Sequence, residues 1–252
     1  MSTIYSGTGT EYVIGQGATS TDYDVIVKGV NHRGYRGTGA SENTLAAFRA
    51  SKAFGFNYVE TDLRFTSDDI GVLCHDATTG GLTISSSTYA QLIAANPNLA
   101  RFDDFIDLCR NAIIHPYIEF KAGTDAQIDI AVDIVREKNM LRHCTWISFT
   151  ASNLSRVLTN DSGARIGLLV NSVTATEAAS ASALKTSTND VFLDAKSTGI
   201  TSAGITACIS SGIPVEAWTV DTEAAILALD YYISGVTSNS LHAGKVLFDS
   251  VF

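Results

Sequence analysis

Residues 31–76 read NHRGYRGTGASENTLAAFRASKAFGFNYVETDLRFTSDDIGVLCHD, and the way this stretch folds decides the architecture of the whole chain. Val25 to Val30, just ahead of it, is a β-branched run that gives way to Asn31, His32, Arg33 and Gly34, so polar residues stand where a strand becomes a loop. Ser41, Glu42, Asn43 and Thr44 supply helix-start residues before Leu45, Ala46, Phe48 and Ala53, whose spacing suits an amphipathic helix. A second strand follows at Tyr58 to Phe65. Strand, helix and strand in that order form a right-handed parallel unit.

In the second strand Glu60 and Asp62 are two residues apart, so the pleat points both carboxylates to one face. Two like charges buried together call for a cation, a basic partner or a raised pKa, and a metal ion is the natural candidate. The strand continues through Arg64, Phe65 and Thr66 to a turn at Ser67, Asp68, Asp69 and Ile70, then returns as Gly71 to His75. Four linking residues are too few for a parallel crossover, so the return run is antiparallel. Pairing Thr66 with Gly71 sets Asp62 roughly opposite His75, which brings a histidine back to the carboxylates.

Further along, helices are expected at Asp103–Arg110, Asp125–Lys138, Ser152–Leu158, Thr176–Leu184, Ser202–Ser210 and Thr222–Asp230. Between and after them fall strands at Tyr117–Lys121, Thr145–Phe149, Arg165–Val170, Val191–Asp194, Val215–Val220 and Gly235–Ser238. With the two strands already placed, eight strands alternate with helices, and no glycine-rich nucleotide loop marks an open doubly wound sheet. The expected fold is α/β, a (β/α)8 TIM barrel. Its chemistry belongs at the C-terminal strand ends, where His32, Glu60, Asp62, Glu119, Lys121, Ser148 and Trp218 fall.

The chain has 252 residues, 45% hydrophobic and 17% charged, enough for one large core. The expected division is an N-terminal extension at 1–24 and a barrel domain at 25–252, with a short insertion at 77–101 that carries a helix from Thr88 to Ala95. The extension, rich in Ser, Thr, Gly and Tyr, reads as a strand or loop closing the barrel bottom, with attachment to a partner as the alternative. A net charge of −9 advertises no basic surface for nucleic acid. Cys74, Cys109, Cys144 and Cys208 lie too far apart for paired motifs and are expected to be reduced and buried. No apolar run approaches a membrane span and no basic-then-apolar leader is visible, so location stays open between the cytoplasm, which is favoured, and export by another assembly.

His32-Arg33-Gly34, Glu42-Asn43-Thr44 opening a helix, Glu60-Thr61-Asp62 on the next strand, Thr66 and Asp68, and the closing His75-Asp76 together resemble the glycerophosphodiester phosphodiesterase family of phospholipase-C-like phosphodiesterases. Ile118-Glu119-Phe120-Lys121, Ser148-Phe149 and Trp218-Thr219-Val220 extend the resemblance, which runs from about Val30 to Ser238. It implies metal-dependent hydrolysis of a small or polymeric glycerophosphodiester to glycerol phosphate and an alcohol. Attack would come from water, or first from a neighbouring glycerol hydroxyl through a cyclic phosphate.

The residue types suit that chemistry. Glu60, Asp62 and Glu119 offer the all-oxygen site that one Mg²⁺ or Ca²⁺ prefers, and Arg33 and Lys121 would grip phosphate. His32 and His75 are the general acid and base in an order that sequence does not fix, with His75 as acid and His32 as base preferred. Glu42 and Asn43 either start a helix or support the site, Asp76 orients His75 or caps the hairpin, and Trp218 lines the pocket or packs the barrel. His115, His143 and His242 fall outside any matching motif and are given no role.

Ser41 stands where a proline usually precedes the Glu-Asn-Thr signature, Asp69 replaces a turn glycine, and the last strand ends in Asn239 with no closing aspartate. Three other readings stay open: a sphingomyelinase-D-like phospholipase, a phosphodiesterase of teichoic-acid-type wall polymers, and a non-catalytic phosphodiester-binding barrel.

Overall fold

The computed structural model of the chain describes residues 11–14, 25–229 and 232–239; of the N-terminal extension only the strand at 11–14 is included, and His242 lies outside the described residues. In chain order the elements are β1 (Glu11–Ile14), β2 (Val25–His32), α1 (Leu45–Ala53), β3 (Tyr58–Phe65), β4 (Gly71–Leu73), β5 (Thr78–Thr79), β6 (Leu82–Thr83), α2 (Tyr89–Ala95), α3 (Phe102–Ala112) and β7 (His115–Phe120). They continue with α4 (Asp125–Glu137), β8 (Thr145–Ser148), α5 (Ala151–Asn160), β9 (Arg165–Val170), α6 (Ala175–Ala183), β10 (Asp190–Lys196), α7 (Ser202–Ser211), β11 (Val215–Trp218), α8 (Glu223–Leu227) and β12 (Ile233–Ser238).

Threonines set the helix starts. Thr44, Thr88, Thr124, Thr201 and Thr222 each accept a backbone N–H of the first helical turn, filling one of the donors a helix leaves unpaired. At Thr88 and Thr124 a glutamine three residues on returns the favour to the cap backbone.

β2, β3 and β7 to β12 form a closed parallel barrel: each pairs with its successor, and β12 returns to β2 with Gly235 opposite Lys28 and Ser238 opposite Asn31. This is the (β/α)8 TIM barrel that the alternation predicts. β1 lies antiparallel along Val25–Lys28 of β2. The main core, with Phe48, Phe105, Trp146 and Ile166 among its members, is a separate cluster from the one that includes Val30, Tyr117, Ile147, Leu169 and Phe192. Gly167 makes room for the last of these, since a Cβ there would meet the Phe192 ring at 2.4 Å. Arg165 adds a buried polar network: its guanidinium stacks 4.2 Å from the Phe192 ring centre and donates to Glu216 at 2.7 Å and to the Tyr117 hydroxyl at 2.9 Å.

The hairpin after β3 is antiparallel as expected, but its register differs by one residue. Phe65, not Thr66, pairs with Gly71, and Leu63 pairs with Leu73. Thr66 belongs to the turn: its N–H donates to the Ile70 carbonyl, its hydroxyl accepts the Ile70 N–H, and Asp69 takes a left-handed φ of +57°. The link is therefore longer than the four residues inferred. Cys74 rather than His75 stands opposite Asp62, its N–H donating to the Asp62 carbonyl at 2.9 Å.

β3 explains why the hairpin reaches the barrel mouth. One of its edges pairs with β2 only as far as His32 opposite Glu60, and beyond that point β4 occupies the edge. The insertion is anchored beneath by a small core of Val72, Ile84, Leu92 and Leu99. Among the described residues no helix is long and apolar enough to cross a membrane, and all four cysteines are free thiols, Cys74 being the one not fully buried.

Candidate active site

His32 is the last residue of β2, and the chain then turns sharply. Arg33 takes φ +57° and Gly34 φ +80°; a Cβ at Gly34 would lie 2.8 Å from that of Ala47, so only glycine lets this loop pass over α1. The Arg33 N–H donates to the Glu60 carbonyl at 3.0 Å and to Glu60 Oε2 at 3.1 Å. Ten residues later the Asn43 N–H donates back to the Arg33 carbonyl, closing the loop.

Glu60 and Asp62 on β3 and Glu119 on β7 converge. Each offers an oxygen within 4.8 Å of the others, and all three are buried. Their strands are neighbours, with Asp62 directly opposite Glu119, so the cluster is a product of register. Burial, then Asp62 and Glu119, push the Glu60 carboxyl well above the usual carboxylate range, and burial raises Glu119 as well. Arg33 Nε lies 3.1 Å from Asp62 Oδ2, Lys121 Nζ lies 3.0 Å from Glu119 Oε1, and the same nitrogen is 3.5 Å from Asp62 Oδ1. The basic partners that buried acids call for are thus present in Arg33 and Lys121. The pairing is incomplete: Glu60 Oε1 and Asp62 Oδ1 are buried with no hydrogen-bond donor. Three converging carboxylates, two of them with an oxygen that no hydrogen bond reaches, suit a cation such as Mg²⁺ or Ca²⁺, so the donor set fits a divalent ion.

The support around these acids is dense. Asn43, at φ +56°, donates from Nδ2 to Asp62 Oδ2 at 2.7 Å and accepts at Oδ1 from the Thr61 hydroxyl and the Asp62 N–H. Glu42 bridges Arg33 (2.9 Å) and Arg36 (3.0 Å). Neither residue merely starts a helix; Thr44 caps α1.

His32 Nε2 lies 3.7 Å from Glu60 Oε2, and its Nδ1 lies 2.8 Å from Asn239 Oδ1. Burial, helped by neighbouring Arg33, lowers its pKa. His75, on the chain just past β4, is more open and pairs through Nδ1 with Asp76 Oδ1 at 2.9 Å, so Asp76 does contact the histidine. The half-buried Trp218 donates from its indole N–H to the Asp194 carbonyl and meets Phe149 edge-on at 5.8 Å. Ser148 faces its own helix start, its hydroxyl accepting from the Thr150 N–H. His115 and His143 meet at a tilt of 58°, 5.2 Å between ring centres, with His115 at the opposite, N-terminal end of β7.

Four contributors escape the sequence reading. Arg64 pins the His75 segment, donating to the Cys74 and His75 carbonyls; its two-residue spacing from Asp62 was an available signal. Arg36 and Asn239 complete the surroundings of His32 through Asn239 contacts that span about two hundred residues, and Asp221, eighteen residues before Asn239, holds it.

The glycerophosphoryl diester phosphodiesterase family model matches residues 32–243. Glycerophosphodiester phosphodiesterase 1 of Bos taurus is 41% identical over 76 residues, 28% of this chain and 23% of its own length, and the Rattus norvegicus protein gives the same figures. The matched segment thus spans under a quarter of these relatives. Among solved structures, a glycerophosphodiester phosphodiesterase from Parabacteroides distasonis superposes with a TM-score of 0.77 at 19% identity, covering 90% of this chain and 98% of that one. A phosphodiesterase from Oleispira antarctica, in complex with the product sn-glycerol-3-phosphate, gives 0.73 at 17%, covering 88% and 96%. At such identities the structures speak for the shared barrel, while the family match takes in every acid, base and cation of the site: the chain belongs to the glycerophosphoryl diester phosphodiesterase family.

Proposed function

We propose that this chain hydrolyses glycerophosphodiesters to glycerol phosphate and an alcohol, with one divalent cation at Glu60, Asp62 and Glu119. The observation that carries the reading is the convergence of these three buried carboxylates, two of them with donor-less oxygens, beside His32 at the barrel mouth. A bound Mg²⁺ or Ca²⁺ would supply positive charge to the non-bridging phosphate oxygens.

The chain's own groups account for the rest. Arg33 and Lys121 flank Asp62 and Glu119 and would hold the phosphate against the acids. His32 and His75 pass protons, one taking a proton from the attacking hydroxyl, the other giving one to the departing alkoxide. Trp218 and Phe149 form an aromatic wall for the glycerol or alcohol portion. The product complex of the Oleispira antarctica neighbour supports glycerol phosphate as the portion retained.

The test is release of glycerol phosphate from a panel of glycerophosphodiesters, with Mg²⁺, with Ca²⁺ and with chelator, for the wild type, His32→Ala and His75→Ala. Cation-dependent turnover that falls at least about 100-fold in both variants is expected. A folded, cation-binding wild type without turnover on any member would sink the reading.

A further inference from the structure

The clearest hydrogen-bond chain outside the acids lies behind His32. Asp221 Oδ1 accepts from the Asn239 N–H at 2.7 Å and the Ser238 hydroxyl at 3.1 Å, and its Oδ2 accepts from Asn239 Nδ2 at 2.9 Å. Asn239 Oδ1 then faces two nitrogens, Arg36 Nη2 and His32 Nδ1, each at 2.8 Å.

Chemistry permits one assignment. Turning the Asn239 amide over would set its NH₂ against the Arg36 guanidinium and its oxygen against the Asp221 carboxylate, donor to donor and acceptor to acceptor. Its oxygen therefore faces His32. Arg36 is always a donor, which leaves one oxygen lone pair for Nδ1. A bare Nδ1 at 2.8 Å would oppose lone pair to lone pair, so the ring nitrogen there carries the hydrogen. In neutral imidazole only one nitrogen does, and Nε2, on the side of Glu60, is left with a free lone pair.

We propose that Asn239, held by Asp221, is a positioning residue that fixes His32 as its Nδ1–H tautomer and so makes it the proton acceptor of the reaction. The proposal rests on the hydrolytic reading above and settles the order of the two histidines within it. His32 Nε2 takes the proton of the attacking water or glycerol hydroxyl as the new O–P bond forms. His75 gives its proton to the leaving oxygen as the old O–P bond breaks. An amide at position 239 accepts the Nδ1–H bond yet takes up no proton, so the charge generated stays on the ring.

The first test needs no substrate. Nitrogen-15 NMR of the His32 ring in the cation-free protein at pH 8 reports which nitrogen is protonated. Wild type is expected to show Nδ1–H and a bare Nε2, and Asp221→Asn and Asn239→Ala a shift toward the Nε2–H form. In turnover, Asn239→Ala is expected to lower kcat about 10–100-fold with KM changed less than about twofold. A wild-type ring protonated at Nε2, or unchanged ring signals in both Asn239→Ala and Asp221→Asn, overturns the proposal. Failure of turnover in the wild type alone, with the Nδ1–H signal present, counts against the hydrolytic reading instead.

Discussion

Replacing Asn43 probes how the acid cluster is held. The side chain is almost fully buried and makes three hydrogen bonds: to Asp62 Oδ2, and from the Thr61 hydroxyl and the Asp62 N–H. Asn43→Ala removes all three, and leaving buried groups unpaired costs about 1–3 kcal/mol each in isolation. Alanine also sits poorly at φ +56°, adding about 1 kcal/mol. Since one side chain makes all three contacts and water can enter, about 3–5 kcal/mol is expected in place of the sum.

Asn43→Gly separates the causes, because glycine tolerates the backbone angle and loses only the hydrogen bonds. It should recover about 1 kcal/mol of the alanine loss. Asp62 would lose its fixed orientation in both variants, so affinity for Ca²⁺ or Mn²⁺ should fall about 10–100-fold. Chemical denaturation gives the first quantity and calorimetric titration the second. An Asn43→Gly protein within about 0.5 kcal/mol of wild type, binding the ion within twofold of it, would refute the reasoning.

Two further outcomes follow from buried acids. Glu60 has a folded pKa raised above its unfolded value, so its contribution to stability is full below the usual carboxylate pKa of about 4.3 and is lost as pH rises through the folded value. Glu60→Gln should therefore flatten the alkaline-going loss of Tm in the chelated protein; identical pH profiles for variant and wild type would contradict this. Asp194, buried with Oδ1 unpaired, is likewise pushed well up by burial and then by Glu216, so Asp194→Asn should raise Tm at pH 8 by about 2–4 °C and change little near pH 4. A drop in Tm at pH 8 would show that the carboxyl makes a favourable contact.

The alternation of strand-like runs with helix-forming runs made the barrel legible, and the two-residue offsets of Glu60 with Asp62 and Glu119 with Lys121 made half the site legible with it. What local pattern fixes, sequence shows. The hairpin register slipped because Thr66 reads as a strand residue until its hydroxyl is seen holding the Ile70 N–H inside the turn. Asn43 was ambiguous because the same side chain that can cap a helix can also reach Asp62 when its own backbone turns left-handed. Asp194 gave no sign at all: a lone acid in a β-strand is ordinary until the closed barrel denies its oxygen a partner. Arg36, Asn239 and Asp221 meet only through closure.

The seam where β12 rejoins β2 has a consequence in the order of synthesis. Every oxygen of the acid cluster, both histidines and the two basic side chains paired with the acids are contained in residues 32–121, whereas the groups that hydrogen-bond behind His32 wait for residues 221 and 239. A chain growing from its N-terminus therefore carries its acid cluster long before it carries the partners of His32 Nδ1. Protein cut short ahead of Asn239 is expected to retain the chemistry-bearing side chains yet lack the alignment that makes one of them a proton acceptor, so that full activity reports a barrel that has been finished and shut.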